Sequence, residues 1–149
     1  MGRQEKCRSV EFPPRNFIFR PEIIDEVSSP DTFVYMRLDE FEAIRLADKL
    51  GYGHTQASEI MGISRPTFTR LLNRARAKAA EFIVDGKSLE ISGGSILFSE
   101  DVYCCKNCHR PFKWNNGGNP VCPICSQINI IPARGDCNGD CRCCEDESL

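Results

Sequence analysis

The chain has 149 residues, 41% of them hydrophobic, and 19 basic against 21 acidic side chains give a formal net charge of -2. That length supports one moderate core, or a small core beside a module held together by something other than apolar burial. The near balance of charge excludes nothing by itself, so its distribution along the chain has to carry the argument.

The first ten residues, MGRQEKCRSV, are polar, and Lys6 stands where myristoylation prefers Ser or Thr. No stretch approaches the roughly 18 apolar residues of a membrane span. The expectation is therefore a cytoplasmic protein. There, clustered cysteines read first as metal ligands and only second as disulfides. Ten cysteines are present, and only Cys7 precedes residue 100. That asymmetry marks a boundary.

Residues 1–32 place Pro13, Pro14, Pro21 and Pro30 among charges and scattered aromatics, which suits an extended arm or irregular cover. Arg3, Lys6 and Arg8 make its start basic, either as a solvated terminus or as an arm for a nucleic-acid backbone or minor groove. Residues 33–38, FVYMRL, are β-prone. Asp39 and Glu42 then have capping-box spacing, and Phe41, Ile44, Ala47 and Leu50 recur at helical spacing up to Gly51, predicting a first helix over about 40–50. A second helix is predicted from an N-cap near Thr55 to Gly62, and a third from an N-cap at Ser64 to about Val84. Pro66 falls in the first turn of the third helix, where its missing N–H costs nothing. Residues 88–98, SLEISGGSILF, read as two short strands joined at Gly93-Gly94 as a hairpin, able to pair with FVYMRL.

The second and third predicted helices carry the packing pattern of a helix-turn-helix. Ala57 and Met61 supply apolar contacts, Ser58 allows close approach, Gly62 makes the turn, Ile63 plugs it, and Phe68 and Leu71 form the inner face. Between Ile60 and Ala80 there are five basic residues and no acid. Opposite the apolar set Phe68, Leu71, Leu72, Ala75, Ala79 and Phe82 lie Arg65, Thr67, Thr69, Arg70, Asn73, Arg74 and Arg76. Arginine, asparagine and threonine are the groups that read base edges in the major groove. Arg65 to Arg70 should enter deepest and Asn73 next, with Arg74, Arg76 and Lys78 meeting phosphates. Thr55 and Gln56, with the free N–H groups that open the second helix, are candidates for a flanking phosphate. The bland alternative is a solvated basic face on an ordinary helical bundle, which leaves the Gly62 turn and the apolar spacing unexplained.

The segments LDEFEAIRLAD (38–48) and ASEIMGISRPTFTRLLNRARAKAAEFIVDGKSLEI (57–91), with the basic start, resemble an uncharacterised prokaryotic family of predicted DNA-binding proteins. The helical part is similar to region four of sigma factors. The resemblance covers roughly residues 3–98 and implies a sigma-region-four-like helix-turn-helix, with Ser64 to Arg76 as the recognition segment. It implies no target. Ser58 departs from the Ala such motifs usually carry.

Downstream, CKNCHRPFKWNNGGNPVCPIC sets Cys105-x2-Cys108 and Cys122-x2-Cys125 thirteen residues apart. Two such knuckles can hold one ion tetrahedrally, and the span between them, with Phe112, Trp114 and Gly117-Gly118, suits the hairpin of a zinc ribbon. Structural zinc is the first expectation, with a rubredoxin-like iron site and redox dithiols as alternatives. Cys104 could replace Cys105, and His109 reads as a neighbour of the site, not a ligand. Cys137, Cys141, Cys143 and Cys144 in the tail could form a second metal site or an exposed thiol cluster that senses metal or oxidant.

Together these readings predict a mainly α protein: a basic arm (1–32), a three-helix helix-turn-helix domain with a small β element (33–98), a zinc-ribbon-like β module (99–135) and a Cys-rich tail (136–149). The chain lacks a nucleophile elbow, a phosphate-cradling loop and a His/carboxylate cluster, so no enzyme is expected. The leading function is sequence-specific binding of double-stranded DNA as a transcriptional regulator. Alternatives are an adaptor contacting RNA polymerase and a metal-trafficking or electron-transfer protein. A self-complementary DNA site would favour a homodimer, although no heptad-like helix follows Val84.

Overall fold

A computed structural model of the chain describes residues 7–22 and 32–133. Three helices and eight strands follow one another: β1 (Arg8–Val10), β2 (Ile18–Phe19), β3 (Phe33–Met36), α1 (Leu38–Ile44), α2 (His54–Met61), α3 (Arg65–Val84), β4 (Ser88–Ile91), β5 (Ile96–Phe98), β6 (Val102–Cys105), β7 (Pro111–Lys113) and β8 (Ile130–Pro132). The strands form three small sheets, ordered β1-β5, β2-β4-β3 and β7-β6-β8.

This is a mixed α/β fold, and the expectation of a mainly α protein is corrected. Of the described residues, 34% are helical and 22% lie in strands. The strand content is hard to read because the strands are short and their partners distant: Arg8 faces Ile96 in a parallel pair, and Ile18 faces Glu90 in an antiparallel one. The expected Gly93-Gly94 hairpin is also absent. β4 joins β3 in parallel register, Phe33 opposite Ser88, as the sequence suggested for FVYMRL, whereas β5 leaves to pair with β1. Residues 8–10 and 18–19 of the predicted arm are therefore strands of the body.

α1 begins earlier than expected and ends differently. The capping carboxylate belongs to Glu40, which accepts a hydrogen bond from the Arg37 backbone N–H at 2.9 Å. Asp39 and Glu42 do not form the expected box; both are buried in ion pairs. At Arg45 the helix widens into a π-helical turn, Arg45–Lys49. The extra residue per turn shifts the buried face, so Leu46 is fully buried while Leu50, expected inside, is 44% exposed. α2 likewise starts one residue before Thr55, with Gly53 at the N-cap position.

α3 spans two cores, as a 20-residue helix of about 30 Å can. Its first half, with Phe68, Leu71 and Leu72, packs on Ala43 and Leu46 from α1 and its π turn and on Ala57 and Met61 of α2. Its second half lays Ala79 and Phe82 on the sheet core of Val34, Met36, Leu89 and Ile91. The sheet that follows is antiparallel, with β6 between β7 and β8. Phe98 belongs to the packing of both bodies, and Lys113 Nζ stands 3.8 Å from the centre of the Phe12 ring, tying the cysteine module to the N-terminal segment. Among the described residues no helix is long and apolar enough to cross a membrane.

Candidate functional site

α2 and α3 are joined as their local chemistry requires. Gly62 takes the left-handed conformation, φ 67°, that a side chain disfavours. Its N–H reaches the Glu59 carbonyl at 3.1 Å, and the Ile63 N–H reaches the Ser58 carbonyl at 3.0 Å, so two of the carbonyls in the last turn of α2 are satisfied. Ser64 caps α3 by accepting from the Thr67 N–H at 3.3 Å, a cap whose loss typically costs about 1 kcal/mol. Ser58 is buried and donates its hydroxyl to the Thr55 carbonyl at 2.7 Å, which explains a polar residue at the helix crossing.

The predicted contact residues separate into two groups. Arg65, Arg70, Asn73 and Arg74 are exposed on α3, and Thr55 and Gln56 are exposed on the first turn of α2. Among the described residues, no acidic group is ion-paired with Arg65, Arg70 or Arg74. The others already have partners within the chain. Arg76 forks onto Asp48 at 2.6 and 3.1 Å, which raises its pKa and lowers that of Asp48. Lys78 binds the buried Glu40 at 2.7 Å. Thr67 shares its hydroxyl with Ser64, and Thr69 Oγ1 lies 2.9 Å from Nδ1 of His54.

The acids of α1, the helix packed against α3, do not offset the positive charge of this face. Asp39, Glu40 and Glu42 are each no more than 1% exposed. Asp39 receives Arg8 and Arg37, Glu40 receives Lys78, and Glu42 receives Arg45 together with the Glu11 backbone N–H. Their charge is spent inside, pinning β1 and α3 to α1, and none of it lies on the α3 surface. Sequence reasoning missed this cluster, whose visible signal was three acids within a helix flanked by apolar residues. It also gave no role to His54, whose contact with Thr69 follows only from the crossing of α2 over α3.

The second site is built from two matching knuckles. Cys105, Cys108, Cys122 and Cys125 place their sulfurs within 4.8 Å of one another. In each knuckle the residue after the second cysteine has positive φ, His109 at 55° and Ser126 at 60°, and donates its N–H to the carbonyl of the first cysteine, at 2.8 and 2.9 Å. Cys104 faces away, buried against Val102 and Ala133, so Cys105 is the member of the cluster. His109 is exposed and stands outside it. The expected hairpin between the knuckles is displaced: β7, from that span, pairs back onto β6, and the first knuckle lies in their turn.

Sulfur pairs lie 3.5 Å apart for Cys105 and Cys125 and 3.6 Å for Cys108 and Cys122. A tetrahedron with zinc–sulfur bonds of about 2.3 Å has edges of about 3.8 Å, so the four donors fit one such ion with small adjustment. Burial pushes the Cys108 thiol up to about 12, with the neighbouring Cys122 thiol adding to it. Cys125 is drawn down to about 6, chiefly by the Gln127 backbone N–H and also by the Asn107 amide. Cys137, Cys141, Cys143 and Cys144 lie outside the described residues.

A family model described as "Protein of unknown function DUF134" matches residues 1–99. A UPF0251 protein of Moorella thermoacetica is 36% identical over 141 residues, covering 93% of each chain, so its similarity continues into the cysteine module. A UPF0251 protein of Methanothermobacter thermautotrophicus is 39% identical over 132 residues, covering 87% of this chain and 67% of its own. One from Ruminiclostridium cellulolyticum is 43% identical over 106 residues, 71% of this chain and 80% of its own. No solved structure matches.

Proposed function

We propose that this chain, which belongs to the DUF134 family, binds double-stranded DNA in the major groove through the exposed face of α3 and acts as a transcriptional regulator. The observation that carries the reading is the exposed arginine set, Arg65, Arg70 and Arg74, without ion-pair partners among the described residues, on a helix that follows a left-handed glycine turn, while the neighbouring acids of α1 are buried in ion pairs. A groove of phosphates supplies the anions that this face lacks. Arg65, Thr69, Arg70 and Asn73 meet base edges, and Arg74 a phosphate. Thr55 and Gln56 bring the N–H groups of α2 to a phosphate on the flanking strand. Arg76 joins them by exchanging Asp48 for a phosphate, whereas Lys78 stays with Glu40 and supports the fold.

The cysteine cluster, in the same reading, holds one structural zinc ion through Cys105, Cys108, Cys122 and Cys125. The ion would supply folding free energy to a sheet whose own apolar clusters are small.

Fluorescence anisotropy with a pool of random duplexes, titrated with salt, tests the DNA reading. Binding should weaken with a slope of about 0.9 log unit per log unit of salt for each phosphate neutralised. A folded protein that binds no duplex at low salt, or binds with no salt dependence, overturns it and turns the search to a protein partner such as RNA polymerase.

A further inference from the structure

The contact between His54 and Thr69 is the one polar link, among the described side chains, from the start of α2 to the exposed turns of α3. His54 is the first residue of α2, and its ring also lies edge-on to Phe68, with centroids 5.5 Å apart. The ring is thus held by the core on one side and holds Thr69 on the other. Thr69 stands one turn after Arg65 and one turn before Asn73, on the ridge where positions four apart line up.

A threonine offers an outside partner two groups, a hydroxyl and a methyl. In either histidine tautomer, the 2.9 Å hydrogen bond to His54 holds the Thr69 oxygen toward α2 and so fixes the side-chain rotamer. With the rotamer fixed, the γ-methyl has one defined direction, so recognition through it can be position-specific. In the major groove the chemistry that complements a methyl group is the 5-methyl of thymine.

Resting on the DNA-binding reading above, we infer that Thr69 is a specificity-determining residue that recognises the 5-methyl group of one thymine, and that His54 is the positioning residue that fixes the Thr69 rotamer for it. The histidine itself touches no base. Its effect on DNA passes through Thr69, so it should change which base is preferred at one position more than it changes salt dependence.

The test uses the full-length, metal-loaded protein and a duplex selected from a random pool. Each thymine of the bound site is replaced in turn by deoxyuridine, which removes only the methyl. Wild type should lose about fourfold in affinity at one position, the factor for returning one buried methyl group to water. Thr69→Ser, which keeps the hydroxyl, should bind the two duplexes equally. Thr69→Val, which keeps a methyl in a rotamer restricted by β-branching, should retain the difference. His54→Ala should shrink the difference and His54→Asn, whose amide reaches the place of Nδ1, should restore it. If every thymine can be replaced without loss, or if Thr69→Ser discriminates as wild type does, the inference is wrong while DNA binding stands. If wild type binds no duplex at all, both readings fail together.

Discussion

Nζ of Lys78, on α3, lies 2.7 Å from Oε2 of Glu40, a carboxylate in the first turn of α1 that is only 1% exposed. The same carboxylate oxygen accepts the Arg37 backbone N–H, so it caps α1 and anchors α3 at once. Removing a lysine from such a pair leaves a buried charge without its counterion, which costs about 3–5 kcal/mol when both partners are buried.

Lys78→Met is expected to lower stability by about 2 kcal/mol, less than that range because the lysine is 31% exposed. The double change Lys78→Met, Glu40→Gln should recover part of the loss, since no bare charge remains. Urea unfolding of both variants measures this. A loss confined to DNA affinity, with unchanged stability, would return Lys78 to the phosphate-contact role that its sequence position suggested.

Gly94 and Gly93 make a matched pair of substitutions. Both have positive φ, 105° and 77°, but a Cβ on Gly94 would meet Asp39 Oδ1 at 3.3 Å and Arg37 Nε at 3.4 Å, whereas one on Gly93 meets nothing within 4 Å. Gly93→Ala pays only the backbone penalty of about 1–2 kcal/mol. Gly94→Ala should lose at least about 1 kcal/mol more, because it presses on a buried ion pair. Equal midpoints in thermal or urea unfolding would contradict the close approach.

The contrast between these two glycines shows what was legible in the chain. Their sequence signal is identical, a Gly-Gly between two β-prone runs, and local reasoning makes them a hairpin. Whether Gly94 turns a hairpin or lets α1 acids pass close by depends on Arg8 and Ile96 pairing across most of the chain. Signals that are local in sequence survived: the Gly62 turn, the Ser64 cap, the inner face of α3 and the two Cys-x2-Cys knuckles. Signals that needed a distant partner did not. Asp39, Glu40 and Glu42 look like surface acids until Arg8, Lys78 and the Glu11 backbone N–H arrive from other elements, and the π turn that buries Leu46 leaves no mark in a 3.6-residue pattern.

Metal content distinguishes two adjacent cysteines. Cys105→Ser should reduce bound zinc from about one equivalent to near zero, and Cys104→Ser should leave it unchanged, since Cys104 is packed against Val102 and Ala133. Elemental analysis of purified protein reads this directly. The pH dependence has a definite sign. Without a cation Cys108 keeps its proton up to about 12, while Cys125, at about 6, is already a thiolate at neutral pH. Loading therefore releases protons, and zinc affinity should fall as pH is lowered, most steeply once the pH passes below about 6 and Cys125 also binds a proton. Affinity that is flat with pH, or equal zinc loss from both serine variants, would contradict the assignment.

In the function proposed above, the exposed arginines of α3 hold DNA. The most direct test is anisotropy of zinc-loaded wild type against the double variant Arg70→Glu, Arg74→Glu on a random duplex pool, with circular dichroism to confirm that both are folded. Neither arginine has an ion-pair partner among the described residues, so the variant should fold normally and lose duplex binding by about 100-fold or more. A folded double variant that binds the pool as tightly as wild type would contradict the claim and place any DNA contact elsewhere on the molecule.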